Sequence, residues 1–521
     1  MADLFRNIFQ QRARRRAILG LSFLLLTSLV LLFRRSDSSS NEHSTSSSPS
    51  NSSPSTGFHP RNGEAQTEFE AKGRGNGRGT HIDLEDPILE KIVRLRVLRA
   101  QLGERFENHN PHPGLIQARR WNAERIDLLI RCLATDSCER NQEKVVVLAS
   151  HHFGLAHFDD RSGEGIWALA LDESIQSLGY TALYSFGYTE ALTIYLAVPE
   201  MVTRILMEYS ALEDCMKRGE DAEGDLLWTA VDYGGWQAGR VGCIKREGFE
   251  EGIPAWLIHT FHGWAGPAHP LGANFIVSLE PFRELGLGSN YYIGYSIEKR
   301  CRAIPTAEQR HHQAIVLGKQ AEYFEEDLNM FFGMLKTAGD KVPPASGVGG
   351  EVGFDIVAVA GEGQELAEAG LVNKGAMKQE AWYAEVAQSR LMIGIGSPPQ
   401  SPSPYDAMCL GVPFINPILD WDRDHPEDKS KWVLQQPALI DIEPPFVYTV
   451  RKGDRAGLEA AILSAVKTSI DRYIPPRMTI EAMRDRMRIF LDVNWHWQAR
   501  NLVEDMPEVS SRRCSRPVCC N

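Results

Sequence analysis

The sequence predicts an α/β protein with two parallel-sheet halves, preceded by a membrane anchor and an unstructured stem. Apolar runs of strand type alternate with helix-type segments from about residue 144 to residue 500. One unit, Leu391–Pro417, has the order strand, proline- and serine-rich loop, short helix and second strand. Two halves of this kind predict a ligand cleft between them, at the carboxyl edges of the sheets.

The amino end predicts a membrane anchor. Ala17–Phe33 is an uncharged apolar run, and as a helix it would be about 26 Å long, slightly short of a ~30 Å hydrocarbon core. Such short spans suit the thin membranes of the early secretory pathway. Arginines are concentrated before the run, so residues 1–16 are predicted to be a cytosolic tail and the rest lumenal. No small-residue cleavage site follows Phe33, which favours an uncleaved signal anchor over a signal peptide.

A stem and a helical lead-in follow the anchor. Residues 34–80 are rich in serine and poor in apolar side chains, so they are predicted to be disordered. Asn51, in the only N-x-S/T acceptor of the chain, lies in this stem and is the predicted glycosylation site. Residues 81–143 are predicted to be helical.

Charge and cysteine content limit the possible partners and pairings. The net charge of −12, with no basic stripe outside the tail, argues against nucleic acid. Nine cysteines in a lumenal chain predict disulfides, and Cys132 and Cys138 close a short loop and are expected to pair. The tail, residues 501–521, carries Cys514, Cys519 and Cys520, for which cross-linking is favoured over zinc ligation because the spacing fits no common zinc motif.

The first half is predicted to span residues 144–345. Lys144–Ser150 is a buried strand, a helix covers Glu164–Leu178, and a second strand follows Gly179. The remaining elements are a helix at Lys319–Leu335 and strands at Asp225–Val231, Ala255–Thr260, Phe275–Leu279 and Tyr291–Tyr295.

The second half is predicted to span residues 350–500. A strand at Phe354–Ala360 and a helix near Lys378–Gln388 lead into the Leu391–Pro417 unit, and helices at Ala456–Ser469 and Thr479–Gln498 close it. The loop in Leu391–Pro417 lacks both the glycines of a dinucleotide fingerprint and the lysine of a P-loop. A phosphate-bearing ligand held by another arrangement is therefore expected there.

The segment GIGSPPQSPSPYDAMCLGVPFINP resembles the donor-site segment of glycosyltransferase family 18. Pro444–Tyr448, Arg472–Pro475 and the terminal cysteines run in the same order as in that family, and the resemblance covers roughly residues 350–519. It implies a GT-B fold and a Golgi type II membrane protein. It also implies inverting transfer of N-acetylglucosamine from UDP-N-acetylglucosamine to the 6-hydroxyl of an alpha-linked mannose of an N-glycan, without a metal or other cofactor.

Glu164 is the predicted catalytic base. Inverting sugar transfer needs a carboxylate that takes a proton from the acceptor hydroxyl. The family keeps its base after a G-x-x-G-E loop, fifteen residues before a glycine, and Glu164 stands at that distance from Gly179. The alternative is that Glu164 merely complements the dipole of its helix.

The donor side is predicted from the same resemblance. Asp406 matches the family's acid in the P-x-[E/D]-A helix, which holds donor hydroxyls, and Gly396, Ser397 and Ser403 are the predicted loop contacts. The alternative makes Asp406 a first-turn acid of a helix capped by Ser403. Lys429 and Lys431 are the predicted cations for the diphosphate, by position only, and a solvated loop charge is the alternative for each.

Two further predictions concern the acceptor and a group of histidines. Asp232 and Trp264 are predicted to face the glycan acceptor, although core packing is the commoner fate of a tryptophan. Three histidines and two aspartates follow the first strand: His151, His152, His157, Asp159 and Asp160. They are interpreted as lining the cleft and not as binding a metal. Adjacent histidines lack the i,i+4 helical spacing that places two rings on one metal.

Two other classes of function stay open at the level of sequence. One is an inactive or lectin-like lumenal protein on the same fold, whose Glu164 would not face the cleft. The other is an oxidoreductase with paired Rossmann-like domains, against which stands the missing G-x-G-x-x-G after the first strand.

Overall fold

The computed structural model describes residues 86–103, 112–158, 162–216, 242–245, 250–261, 269–281, 290–318, 320–325, 329–331, 333–347, 350–361 and 370–504. The predicted anchor (17–33), the stem with Asn51, the predicted strand Asp225–Val231 and the terminal cysteines lie outside these ranges. Within them, every helix is too short or too polar to cross a bilayer.

The lead-in is helical, as predicted. It forms α1 (Pro87–Gly103) and α2 (Pro113–Ala134), which pack against each other. The predicted Cys132–Cys138 disulfide is confirmed, with a Cα–Cα distance of 4.6 Å. The Asn122 amide donates to the Tyr184 carbonyl and accepts from the Tyr184 N–H, both at 2.8 Å. These bonds fix α2 against the edge strand of the first sheet.

The first sheet has six strands, all parallel, in the order β2-β1-β3-β4-β5-β6. The strands are β1 (Val145–Ala149), β2 (Thr181–Ser185), β3 (Val202–Glu208), β4 (Ile258–Phe261), β5 (Ile276–Ser278) and β6 (Tyr291–Tyr292). Its helices are α3 (His151–Leu155), α4 (Gly163–Ser177), α5 (Tyr188–Ala197) and α6 (Tyr209–Met216). The chain moves outward from β1 to β2 and then returns to β3, so the strand order reverses between β1 and β3.

Two features of the first half differ from the prediction. β3 was not predicted, because Arg204 interrupts its apolar run, although this arginine is 6% exposed and bonded within the protein. The predicted strand at Ala255–Thr260 begins as a 3-10 turn, Ala255–Leu257, and only then becomes β4.

The second sheet has seven strands, parallel except for β14, in the order β11-β10-β7-β12-β13-β14, with β15 also paired to β13. The strands are β7 (Gln313–Leu317), β10 (Asp355–Ala358), β11 (Val372–Asn373), β12 (Leu391–Gly394), β13 (Phe414–Asp420), β14 (Val433–Leu434) and β15 (Val447–Arg451). A separate hairpin pairs β8 (Ala345–Gly347) with β9 (Gly350–Val352). β7 was not predicted and lies inside the range 144–345 expected for the first domain, yet it belongs to the second sheet.

The helices after β6 include one wrong prediction. The predicted helix Lys319–Leu335 is in its described parts a 3-10 turn, Ala321–Phe324, followed after a gap by α8 (Leu335–Gly339). The Met330 N–H donates to the Ile395 carbonyl and the Phe331 N–H to the Asn329 side chain, so these donors are not available to a continuous helix. The others are α7 (Glu298–Ala303), α9 (Gln379–Gln388), α10 (Ser403–Cys409), α11 (Arg455–Lys467), α12 (Ile480–Asp492) and α13 (Trp495–Glu504).

The closing helices return to the first half. The predicted single helix Thr479–Gln498 is divided into α12 and α13, because the Asn494 side chain accepts from the Trp497 N–H and starts a new helix. Arg204 of β3 donates to the Leu491 carbonyl at 3.1 Å, and Phe490 and Trp495 pack edge-on against His259 of β4. The core of the first sheet is therefore completed by the end of the chain.

Candidate functional site

The proline- and serine-rich loop lies where the strand order of the second sheet reverses. From β7 the chain builds outward through β10 to β11, then crosses to β12 on the other side of β7. We call residues 395–402, which follow β12, the donor loop. Leu317 pairs with Gly394 at the carboxyl ends of the two strands, so the donor loop leaves the sheet at this reversal. Ligands of open α/β sheets bind at such reversals, outside the carboxyl ends of the strands.

Gln435 holds the donor loop, a role that was not predicted from the sequence. Its Oε1 accepts from the Gly396 N–H and its Nε2 donates to the Pro398 carbonyl, both at 3.0 Å. The Gln435 carbonyl also accepts from the Gln400 N–H at 2.9 Å. A Cβ on Gly394 would lie 2.3 Å from Gln435 Oε1, so glycine is required for this close approach.

Helix α10 begins differently from the prediction. Ser403 is its first residue and not its cap; Pro402 occupies the cap position and has no side chain that can accept. The Ser403 N–H donates to the Ser401 hydroxyl at 3.3 Å. The prediction that Ser403 caps the helix is therefore wrong, because the hydroxyl that serves the backbone belongs to Ser401.

Asp406 is buried, and one of its two carboxylate oxygens accepts hydrogen bonds from Arg300. Its Oδ1 accepts from Nε and Nη2 of Arg300 at 3.1 and 2.5 Å. Burial raises the pKa of Asp406, and the Arg300 guanidinium opposes that rise. Among the described residues, Oδ2 has no hydrogen-bond donor, so one oxygen of this carboxylate is free to accept from a ligand.

A disulfide places Arg300 opposite Asp406. Cys301 follows Arg300 in α7, Cys409 ends α10, and the two form a disulfide with a Cα–Cα distance of 5.6 Å. Neither this pairing nor the Cys215–Cys243 disulfide could be deduced from cysteine spacing. The bond joins α7, the short helix after the first sheet, to α10 of the second half.

Glu164 lies at the start of α4, beside the donor loop. Ser162 caps this helix and accepts from the Gly165 N–H at 3.0 Å. A Cβ on Gly163 would lie 3.7 Å from Cδ of Pro402, so the beginning of α4 lies against the end of the donor loop. Glu164 is half-buried, and no described side chain forms a hydrogen bond or ion pair with its carboxylate. A carboxylate in this position is available to a ligand.

A second carboxylate at this junction, Glu280, was not predicted. It follows β5 and is 2% exposed. Its Oε1 accepts from the Tyr405 hydroxyl at 2.7 Å and from Gln436 Nε2 at 3.1 Å, while Oε2 is buried without a described partner. Burial raises the pKa of Glu280 to about 7, against the opposing effect of Arg477. Glu280 thus connects the first sheet to α10 and to the segment after β14.

The two predicted cations are exposed. Lys429 and Lys431 lie in a 3-10 turn four residues or more before Gln435, and Lys429 forms an ion pair with Glu443. The Lys431 N–H donates to the Asp428 carbonyl at 3.0 Å, and the Lys431 side chain forms no hydrogen bond or close ion pair within the described residues. The predicted acceptor residues Asp232 and Trp264 lie outside the described residues.

The histidines after β1 have definite partners. His157 Nε2 lies 2.8 Å from Oδ2 of the buried Asp172 in α4, which ties α3 to α4. His151 Nδ1 lies 3.1 Å from Glu208 Oε2 at the end of β3, and Ser150 donates to the same oxygen at 2.7 Å. Burial favours a higher pKa for Glu208, but the bonds from His151 and Ser150 prevail and lower it.

Comparison with known proteins agrees with the resemblance seen in the sequence. Residues 288–506 match the family model described as Glycosyltransferase family 18. The chain carries a glycosyltransferase family 18 segment. The match begins before β6 and includes α7, the whole described part of the second sheet and the closing helices. The predicted recognition of this family, and with it the glycosyltransferase class, is confirmed for that part of the chain.

Two relatives illustrate how far the similarity extends. The human "Alpha-1,6-mannosylglycoprotein 6-beta-N-acetylglucosaminyltransferase B" is 26% identical over 128 residues, which are 23% of this chain and 16% of that protein. The Caenorhabditis elegans "Alpha-1,6-mannosylglycoprotein 6-beta-N-acetylglucosaminyltransferase" is 27% identical over 128 residues, 23% of this chain and 19% of that protein. The aligned part of this chain thus spans less than a fifth of the length of these curated relatives.

A solved structure of the Anabaena protein HepE in complex with UDP is also similar. It is 11% identical and covers 71% of this chain and 99% of its own, with a TM-score of 0.25. A score of that size supports no conclusion about fold or ligand.

Proposed function

We propose that this protein is an inverting glycosyltransferase that moves N-acetylglucosamine from UDP-N-acetylglucosamine to the 6-hydroxyl of an alpha-linked mannose of an N-glycan. The single observation that carries the proposal is the contact between the start of α4, which bears a free carboxylate at Glu164, and the donor loop of the second sheet. The family model that matches residues 288–506 and the relatives named for N-acetylglucosamine transfer support the same class of reaction. We propose a GT-B arrangement of the two sheets on the same grounds.

The reaction needs one base and one anion site. Glu164 takes the proton of the acceptor hydroxyl as that oxygen attacks the anomeric carbon. A new bond forms between this carbon and the acceptor oxygen while the bond to the diphosphate oxygen breaks, and UDP leaves with the electron pair. Inversion follows because the nucleophile and the leaving group occupy opposite faces of the sugar.

The donor is proposed to bind at the reversal of the second sheet. Gly396, Ser397 and Ser403 border the donor loop, and Asp406 offers its free Oδ2 to a donor hydroxyl. Lys431, whose side chain forms no close ion pair within the described residues, is a better candidate than Lys429 for the charge of the diphosphate, because Lys429 is paired with Glu443. On the basis of the family resemblance, we propose that this transfer needs neither a metal nor another cofactor.

The remaining parts of the proposal concern location and acceptor. Residues 17–33 would anchor the protein in the Golgi membrane as a single-pass type II protein with its catalytic part lumenal. Asp232 and Trp264 would contact the N-glycan. A membrane fraction and a glycopeptide-binding assay of the corresponding variants test these two points.

Transfer by a Glu164→Gln variant is the decisive experiment. The full chain would be assayed with UDP-N-acetylglucosamine and a biantennary N-glycan, with and without EDTA. We expect kcat to fall at least a hundredfold while the Kd for UDP stays within twofold, because the amide cannot accept the proton. Glu173→Gln is the matched control, since Glu173 lies on the same helix and pairs with the exposed Lys299.

The other outcomes are informative. Transfer that survives Glu164→Gln would contradict the role of Glu164 and leave the class of enzyme intact. Loss of transfer in EDTA would contradict metal independence. UDP and glycan binding without any transfer by the wild-type protein would favour the inactive, lectin-like alternative.

A further inference from the structure

The first sheet has its own strand-order reversal, and it carries a cluster that the proposed transfer does not use. The reversal lies between β1 and β3, where Ala149 pairs with Met207. His151 and His152 follow β1 directly, and Glu208 is the last residue of β3. By the same rule that places the donor at the second sheet, this reversal is the expected binding position of the first.

The three side chains converge on one point. Each offers one ligand atom, and these atoms all lie within 4.8 Å of one another. His151 Nδ1 and Glu208 Oε2 are 3.1 Å apart, and the rings of His151 and His152 have centroids 4.1 Å apart. The chain changes from extended to helical at Ser150, which caps α3 through the His152 N–H, and this turn brings the adjacent rings to the same side.

We infer that His151, His152 and Glu208 form a binding site for a divalent transition-metal ion of the zinc type. Two imidazole nitrogens and one carboxylate oxygen are ligands that such an ion prefers, with bonds of about 2.0–2.2 Å. Tetrahedral bonds of that length separate neighbouring ligand atoms by roughly 3.4 Å. The spacing between His151 and Glu208 is already close to this value, and the ligand atom of His152 lies within 4.8 Å of both.

The surroundings of the cluster also suit an ion. Ser150 donates to Glu208 Oε2 at 2.7 Å and orients the carboxylate, as partners behind metal ligands do. His151 has 48% of its side chain exposed and Glu208 26%, so an ion has access and a fourth ligand can come from solvent or from an oxygen-bearing substrate. In this site the adjacent histidines share one ion with Glu208, which the neighbouring strand β3 supplies. The spacing of the histidines in the sequence did not reveal this third ligand.

This inference does not rest on the proposed transfer. The cluster belongs to the first sheet, whereas the donor loop belongs to the second, and transfer that resists EDTA is compatible with an ion here. An ordinary ion pair between His151 and Glu208 is the competing explanation of the same contacts.

The test measures metal binding by the full chain, purified without a histidine tag and stripped with a chelator. Co²⁺ would be titrated for its visible absorption, and Zn²⁺ would then displace it in competition with a coloured indicator. We expect one equivalent of tightly bound ion. His152→Ala and Glu208→Gln should each weaken the Kd for Zn²⁺ at least tenfold, while His425→Ala, a change at an exposed histidine paired with Asp422, leaves it unchanged.

The outcomes separate the two explanations. No stoichiometric binding by the wild-type protein, or equal affinity in the Glu208→Gln variant, would overturn the inference and leave a simple ion pair. Circular dichroism and the melting temperature of each variant without metal show whether it is folded. A rise in melting temperature with Zn²⁺ that occurs in the wild type and in His425→Ala, but not in His152→Ala, supports the site without any assay of activity.

Discussion

Arg300 and Asp406 illustrate how a ligand contact and a structural contact share one carboxylate. Asp406 has 7% of its side chain exposed and Arg300 has 23%. Removal of the guanidinium leaves a buried carboxylate without its partner, which is a costly arrangement. The ion pair therefore maintains the position of α10, and the free oxygen of Asp406 depends on it.

We expect Arg300→Met to lower the free energy of unfolding by about 3 kcal/mol. Urea unfolding followed by tryptophan fluorescence measures the change. Arg302→Met is the matched control, because Arg302 is 71% exposed and pairs with Glu298 one turn away in the same short helix; its effect should stay below about 0.5 kcal/mol. Equal effects of the two changes would contradict a structural role for the Arg300–Asp406 pair.

Glu280 gives the protein a pH-dependent stability. The folded protein holds the proton on this buried carboxyl up to about pH 7, whereas an unperturbed glutamate has a pKa of 4.5. A raised pKa of this kind stabilises the folded state fully below about pH 4.5, and the stabilisation is lost as the pH rises to about 7. The difference of roughly 2.5 pKa units corresponds to about 3 kcal/mol.

Glu280→Gln should remove this dependence, because the amide resembles the protonated acid and does not titrate. We expect the variant to lose less stability than the wild type between pH 5 and pH 8, measured as the difference between their urea midpoints at each pH. The two proteins should be nearly equal at pH 5, and the variant should be the more stable at pH 8. A difference that is the same at both pH values would contradict the prediction, because it would show that folded Glu280 does not change its protonation between pH 5 and pH 8.

The residues that were predicted and those that were missed differ in how far away in the sequence their partners lie. The position of Glu164 at the start of α4 could be predicted from a local loop-and-helix pattern, and its catalytic role stays a prediction. The contacts of Gln435 and Glu280 could not be predicted, because their partners are distant in sequence: Gly396 is 39 residues from Gln435 and Tyr405 is 125 residues from Glu280. The cap of α10 was assigned to Ser403 when Ser401 serves the backbone, since both serines fit the pattern.

At the scale of elements, buried strands with uniform apolar character were the easiest to predict. β1 and β12 are entirely apolar apart from one glycine and were found, whereas β3 contains a buried arginine and β7 is a short run beside two histidines. The failure at Lys319–Leu335 has a tertiary cause, because the Met330 N–H is used by Ile395. A helical pattern in the sequence does not show that a backbone N–H donates to a residue that is distant in sequence.

The donor loop is an element whose shape depends on one side chain. Gln435 is 1% exposed and uses both ends of its amide on this loop. Gln435→Leu leaves the buried Gly396 N–H without its partner, at a cost of about 1–3 kcal/mol, and also removes the donor to the half-buried Pro398 carbonyl. We expect this variant to weaken UDP binding at least tenfold while the disulfide between α7 and α10 holds α10 in place.

Isothermal titration with UDP measures that loss, and Gln498→Leu, a change at an exposed position of α13, is the control. The same affinity in both variants would mean that the donor loop keeps its shape without Gln435, or that UDP binds elsewhere. Circular dichroism distinguishes these results from a general loss of structure.

At the scale of the whole molecule, one hydrophobic cluster connects the two sheets. One face of the second sheet, with Ile315, Met392 and Phe414, belongs to the same cluster as the strands of the first sheet. The alternate residues, such as Ala314 and Ile393, belong to a second cluster on the opposite face. This division follows the two-residue period of a strand. The sequence predicted two halves, but it could not show that they share a core.

The shared core predicts that the two halves unfold together. Phe490 of α12 is fully buried and packs against His259, Tyr291 and Trp495, so the end of the chain contributes to the centre of the first half. Phe490→Ala should lower the free energy of unfolding by about 3–5 kcal/mol, whereas Ile489→Ala, at a neighbouring residue that is 49% exposed, should change it by less than about 1 kcal/mol. The urea midpoints of unfolding, measured by circular dichroism and by protection of backbone amides in both sheets, should then fall by the same amount. Amides of β12 that kept their wild-type protection in Phe490→Ala would contradict a common core, because the second half would then unfold independently of the helices that close the first.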